Sequence, residues 1–123
     1  MSIAGFVTDL SLSGNVQFNG RILGNKGADI SSGQLLTLGN GNYFDITGHD
    51  DIDAIYKEGW TDGSVIHLHF PDSALTLSHI GIVDPNYYAF FFQSGTDVTV
   101  SVNEILSFVF DSSGYWRCLN PTK

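Results

Sequence analysis

What most constrains this chain is a succession of short, β-prone runs cut off from one another by turn residues. They are Leu35 to Leu38, Tyr43 to Thr47, Ile52 to Tyr56, Val65 to Phe70, Leu75 to Ser78, Tyr88 to Phe92, Val98 to Val102, Ile105 to Phe110 and Tyr115 to Leu119. Each is too short for a stable helix and rich in the branched and aromatic side chains that suit a pleated surface. In Val65-Ile-His-Leu-His-Phe70 a period of two puts Ile66, Leu68 and Phe70 on one face and Val65, His67 and His69 on the other. The first set is the core face. Asp111-Ser-Ser-Gly114 is a turn between the last two runs, so the chain is predicted to end in a hairpin. Short strands at close spacing point to a sandwich or barrel rather than to βαβ units. Asp51 to Lys57 is the only competitor for helix and is too short to hold one.

Residues 1–33 read differently. This stretch is rich in Gly, Ser, Asn and Asp, and its apolar residues come singly or in pairs. It is predicted to be an N-terminal arm, with residues 34–123 forming the β-sandwich domain. Ile3, Phe6, Val7, Leu10 and Leu12 are too few to make a core, so they either await a partner surface or pack on the body. Within the arm, Val16 to Phe18 and Arg21 to Leu23 flank Asn19-Gly20, a pair suited to a type I′ turn, which predicts a small hairpin. At the other extreme, Tyr87-Tyr-Ala-Phe-Phe-Phe92 is too apolar for a half-exposed strand. Either a second subunit covers one of its faces, making Tyr87, Tyr88, Phe90, Phe91 and Phe92 an oligomer interface, or it is the central strand of one thick core.

Composition narrows the function classes. Thirteen Asp and Glu against five Lys and Arg give a formal charge of −8, and no cationic cluster appears, so phosphate-backbone binding to nucleic acid is disfavoured. With one cysteine, Cys118, an intrachain disulfide is impossible, and the thiol content gives no argument for export. The start Met-Ser-Ile-Ala lacks the basic flank and apolar core of a signal peptide, and the most apolar stretch, Ile80 to Phe92, is broken by Asp84, Pro85 and Asn86 before it reaches membrane-spanning length. Synthesis and folding in a cytoplasm, with no membrane partner, are the expectation.

Candidate chemistry is sparse. His67 and His69, with His79, offer imidazoles for zinc or nickel, but no cysteine joins them and no metal-binding spacing is present; solvent-facing histidines account for the pair, and a tie to a backbone carbonyl accounts for His79. Asp50, Asp51 and Asp53 lack the central Gly and terminal Glu of a calcium loop and read as a solvated turn. Asp45 with Asp62, or Asp84 with Asp97, are the carboxylate pairs a glycosidase would need, but the sequence does not fix their separation. Gly39-Asn-Gly-Asn42 leads into a strand, so it is no phosphate loop. No catalytic, metal or cofactor residue is therefore assigned. Trp60, Tyr87, Tyr88, Tyr115 and Trp116 suit sugar stacking or, more commonly, packing; Trp116 is predicted to close the sandwich with Arg117 on the opposite face.

The segment Leu38-Gly-Asn-Gly-Asn-Tyr-Phe-Asp-Ile-Thr-Gly48, followed by Ile52-Asp-Ala-Ile55 and Gly59-Trp-Thr-Asp-Gly63, resembles a trimeric β-module of tailed bacteriophages found in head decoration proteins, tail fibres and tail spikes. Val65 to Phe70, Ala74-Leu-Thr-Leu-Ser-His79 and Phe108-Val-Phe-Asp-Ser-Ser-Gly-Tyr-Trp-Arg117 follow in the order that module uses, so the likeness spans about two thirds of the chain. It departs after His79, where Ile80 to Phe92 replaces the usual apolar strand and Gly-Gly turn. The resemblance implies an all-β, antiparallel, jelly-roll-like sandwich assembled as a homotrimer, without an enzyme's machinery or a cofactor.

Two uses of such a module are distinguishable. A capsid decoration or cement protein sits on the outer surface of the head, stabilises it, and binds the major capsid protein through an arm that orders on contact; here Ile3, Phe6, Val7, Leu10 and Leu12 would carry that contact. A short chain with one module and one arm favours this use. A tail fibre or tail spike module instead binds a host-surface glycan through exposed aromatics and loops.

Overall fold

A computed structural model describes residues 10–123. The described residues form ten strands and no helix: β1 (Ile30–Ser31), β2 (Leu35–Leu36), β3 (Tyr43–Thr47), β4 (Ala54–Tyr56), β5 (Val65–His69), β6 (Leu75–Leu77), β7 (Tyr87–Phe91), β8 (Val98–Val100), β9 (Ile105–Asp111) and β10 (Tyr115–Cys118). All nine predicted runs contain a strand. β1 lies inside the stretch assigned to the arm, and no helix forms over Asp51 to Lys57.

Eight strands make one sheet in the order β1-β3-β5-β9-β10-β7-β4-β2, and β6 pairs with β8 in a small second sheet. Single bridges from Ile52 to Leu77 and from His79 to Phe90 stitch the small sheet to the large one, and the whole curls into a nearly closed, barrel-like wall. The expectation of a purely antiparallel sheet is corrected. β5 with β9, β9 with β10, and β4 with β7 are antiparallel, but β1 with β3, β3 with β5, β7 with β10, and β2 with β4 are parallel. The reason is connectivity. After β3 the chain crosses to the far half of the sheet, lays down β4, and returns to place β5 beside β3 in the same direction. Side-chain alternation fixes which face a residue takes, not which strand lies next to it.

The alternation itself is read correctly. Ile66, Leu68 and Phe70 are fully buried, as are Phe44, Ile46, Leu106, Phe108 and Trp116 on neighbouring strands, while Val65, His67 and His69 are half-exposed. Leu75, Leu77, Val98 and Val100 of the small sheet close over the same core. Each large apolar side chain buried there stabilises the fold by about 1.5–3 kcal/mol. Trp116 sits at the centre of an aromatic stack, its ring edge-on to Phe110 at 5.0 Å and to Trp60 at 5.5 Å. Its indole Nε1–H donates to the Ile55 carbonyl at 3.4 Å, so the one polar atom of the ring is satisfied. The C-terminal hairpin forms as predicted: the Gly114 amide donates to the Asp111 carbonyl, and Tyr115 to Cys118 pairs antiparallel with Asp111 to Phe108.

The body begins earlier than residue 34. Lys26 bridges to Tyr43, the Gly27 amide donates to the Tyr43 carbonyl at 2.8 Å, and β1 runs parallel to β3. Gly27 is required there: a Cβ would lie 2.2 Å from the buried Phe44 ring and 2.7 Å from the Asn40 carbonyl oxygen. Residues 10–24, by contrast, have no strand partner among the described residues, and the hairpin predicted around Asn19-Gly20 does not form. Asn-Gly supplies a turn, but among the described residues Val16 to Phe18 and Arg21 to Leu23 have no third strand or apolar floor to hold them, and an isolated two-stranded hairpin is marginal in water.

Candidate functional site

Of the predicted contact residues in the arm, Ile3, Phe6 and Val7 lie outside the described residues, and Leu10 and Leu12 are exposed. They are joined by Val16, Phe18, Ile22 and Leu23, the last 86% exposed. The residues beyond Leu12 were missed as contact candidates, because the hairpin expectation assigned Val16 to Leu23 a local partner. A run of six large apolar side chains in water is a site in search of a surface.

The aromatic run is divided by the sheet. β7 lies between β10 and β4, so it is an interior strand, as the one-core alternative required. Phe90 and Phe92 are fully buried in this chain's own core, packed against Phe108 at 5.0 and 6.0 Å. The expectation that they meet another subunit is corrected for these two: the core already occupies their surface. Tyr88 stacks on Phe110 at 5.3 Å and packs against the same core. Tyr87 and Phe91 face outward. There Tyr87 meets Tyr56 at 5.2 Å, Phe91 meets Tyr115 at 5.4 Å, and the Arg117 guanidinium lies over the Phe91 ring at 4.6 Å. Arg117 is also paired with Asp111, whose carboxyl it holds at a pKa of about 2, with help from the Ser113 amide. This half-exposed aromatic and cationic strip is the outer face of β4, β7 and β10.

The three histidines weighed as metal ligands, His67, His69 and His79, are each engaged. His67 Nδ1 lies 2.7 Å from Ser107 Oγ, and His69 Nδ1 lies 2.8 Å from Asp45 Oδ1. Lys26 Nζ reaches the other Asp45 oxygen at 2.8 Å; the hydrogen bonds from Lys26 and then His69 hold that carboxyl below the usual range. His79 Nδ1 accepts the Phe92 amide at 3.0 Å, so its partner is a backbone N–H rather than the expected carbonyl. Among the described residues, no cluster of three or more His, Cys, Asp or Glu is placed to hold a metal ion. The acidic residues weighed for other chemistry cap the backbone instead: Asp51 accepts the Thr76 amide, Asp97 the His79 amide and Asp62 the Ser112 amide, while Asp53 accepts from Ser78 and Gln34. Burial pushes the Cys118 thiol up, as suits an unreactive sulfur.

Two of the concavities on the described surface are lined by aromatic side chains. One, of about 140 Å³, lies where the loop after β6 passes the outer strip: Ile80, Ile82, Val83 and Asp84 face Tyr87 and Tyr115. Val83 is 94% exposed, and Ile80 takes a φ of 48°, a left-handed conformation rare for a branched side chain, held by its amide bond to the Phe90 carbonyl. The other, of about 330 Å³, lies between Leu38 to Asn42 and Glu58 to Trp60. Its walls are pinned. The Asn42 amide donates to Asn25, its side-chain Nδ2 donates to the Val65 carbonyl at 3.0 Å, and its own carbonyl accepts the His67 amide. Gly41, at a φ of 122°, packs against Gly27. On the far wall the Trp60 amide donates to the Lys57 carbonyl across a turn at Gly59, and the Trp60 ring is braced by Trp116. Of the aromatics singled out for stacking on sugars, Trp60 is the one this cleft contains.

The chain was compared with protein-family models, curated proteins and solved structures, and none matches it.

Proposed function

We propose that this chain is a non-enzymatic structural module of a tailed-phage virion: a homotrimeric, jelly-roll-like decoration protein on the outer surface of the head, attached to the major capsid protein through its N-terminal segment. The observation that carries this reading is the exposed apolar series Leu10, Leu12, Val16, Phe18, Ile22 and Leu23, joined to a body whose own core is complete. Such a segment is bound only if a partner supplies the missing strand or apolar floor. The outer strip of Tyr87, Phe91 and Tyr115 supports a self-interface, because aromatic rings and arginine are favoured at the centres of interfaces.

The test is light scattering of the purified protein followed by sedimentation with undecorated phage heads. A trimer that co-sediments in saturable amounts, and that stays trimeric but unbound after deletion of residues 2–24, is the expected result. A monomer, or binding unchanged by the deletion, overturns the reading. The alternative use, a tail fibre or spike module on a host-surface glycan, would leave the trimer in the supernatant.

A further inference from the structure

We propose that the cleft between Leu38 to Asn42 and Glu58 to Trp60 binds a neutral saccharide. Its volume, about 330 Å³, is within the range of small-molecule sites, about 300–1,000 Å³. The chemistry of its wall narrows the occupant. Trp60 offers flat apolar area for the C–H face of a sugar ring, while the Asn40 side-chain amide, the Asn42 side-chain oxygen and the Glu58 carboxylate offer donors and acceptors for hydroxyls. No Lys or Arg is among the lining residues, and the chain carries a formal charge of −8, so a phosphate or sulfate would meet repulsion without compensation. A single carboxylate is too little for a divalent cation, which takes several oxygen ligands.

Preorganisation separates this cleft from an ordinary surface dip. The near wall is fixed by the Asn42 bonds to Asn25, Val65 and His67 and by the close approach of Gly41 to Gly27. Trp60 is fixed by Trp116, whose own indole is tied to Ile55. Little conformational freedom remains to be lost when a ligand enters. This inference does not depend on the decoration reading, since the cleft is built from the body alone.

An array of neutral and anionic oligosaccharides, probed with the full chain, tests it. Capture of neutral glycans is expected, weakened at least about tenfold by Trp60→Ala. Because Trp60 also touches Trp116, a second variant guards against misfolding: Gly39 lines the cleft and an added Cβ there meets nothing within 4 Å, so Gly39→Phe should crowd the cleft without displacing its neighbours. It should abolish capture with an unchanged melting curve and unchanged head binding. Capture of no neutral glycan, a preference for anionic ones, or full capture by Gly39→Phe overturns the proposal. A protein that decorates heads and captures no neutral glycan loses this inference alone.

Discussion

Leu10-Ser-Leu12 and Val16-Gln-Phe18 carry the same period-two alternation as Val65-Ile-His-Leu-His-Phe70, yet the first two are exposed and have no strand partner among the described residues, while the third is a strand with a fully buried face. The difference is not in the residues themselves. β5 has β3 on one side and β9 on the other, so its amides and carbonyls are satisfied and its apolar face meets a core. Among the described residues, no strand pairs with residues 10–24. Alternation is thus permission to be a strand; pairing is what grants it. Within the body, the same lesson divides two adjacent residues: Phe90 points into the core and Phe91 lies under an arginine on the outer face.

That contrast is sharpest in a pair of substitutions. Phe90→Asp should unfold the protein, because losing the ring costs about 3–5 kcal/mol and an unpaired buried carboxylate several more, together comparable to a domain's whole stability of about 5–15 kcal/mol. Phe91→Asp places its charge beside Arg117 and should keep the fold at a cost of about 1 kcal/mol, while dissociating the proposed trimer. Circular dichroism with light scattering reads both; a folded Phe90→Asp protein would refute the division of β7 into two faces.

The boundary between segment and body is tested with glycines. Gly27→Ala must displace the buried Phe44 ring and should destabilise by about 1–3 kcal/mol in urea unfolding. Gly24→Ala meets nothing within 4 Å and should fall within about 0.5 kcal/mol of the parent. Equal effects would place the boundary elsewhere.

A smaller effect belongs to acid. Asp111 titrates at about 2 in the folded protein against an ordinary 3.8, so its pairing with Arg117 stabilises the fold above pH 3.8, and that contribution is lost as pH falls toward 2. Asp111→Asn should flatten this part of the stability-against-pH curve, measured by denaturant unfolding; an unchanged curve would show that the pair contributes nothing. The smallest effect is expected in the segment: Leu12→Ser, Phe18→Ser and Leu23→Ser should each shift stability by less than about 0.5 kcal/mol, since these side chains are exposed already. A larger loss in the isolated protein would mean that a second copy of the chain covers them.

The sequence by itself determined where most strands lie and which of their side chains face the core, because period-two alternation and turn chemistry are local properties. It marked Trp116 as a closing residue and Arg117 as its outward neighbour, and both hold. β1 escaped notice because Ile30-Ser31 is too short to show any period, and is a strand only because β3 lies beside it. The Trp60 cleft was legible in its parts, since Gly39 to Asn42 and Gly59-Trp60 both drew attention, but not as a site: their meeting depends on the turn at Gly59 and on the packing of Trp60 against Trp116. Only the tertiary structure decided the four parallel pairings, the inward turn of Phe90 and Phe92, and the closure of the small sheet over the core. These are contacts between residues far apart in the chain, and their order follows from how strands cross the barrel, which no local pattern encodes.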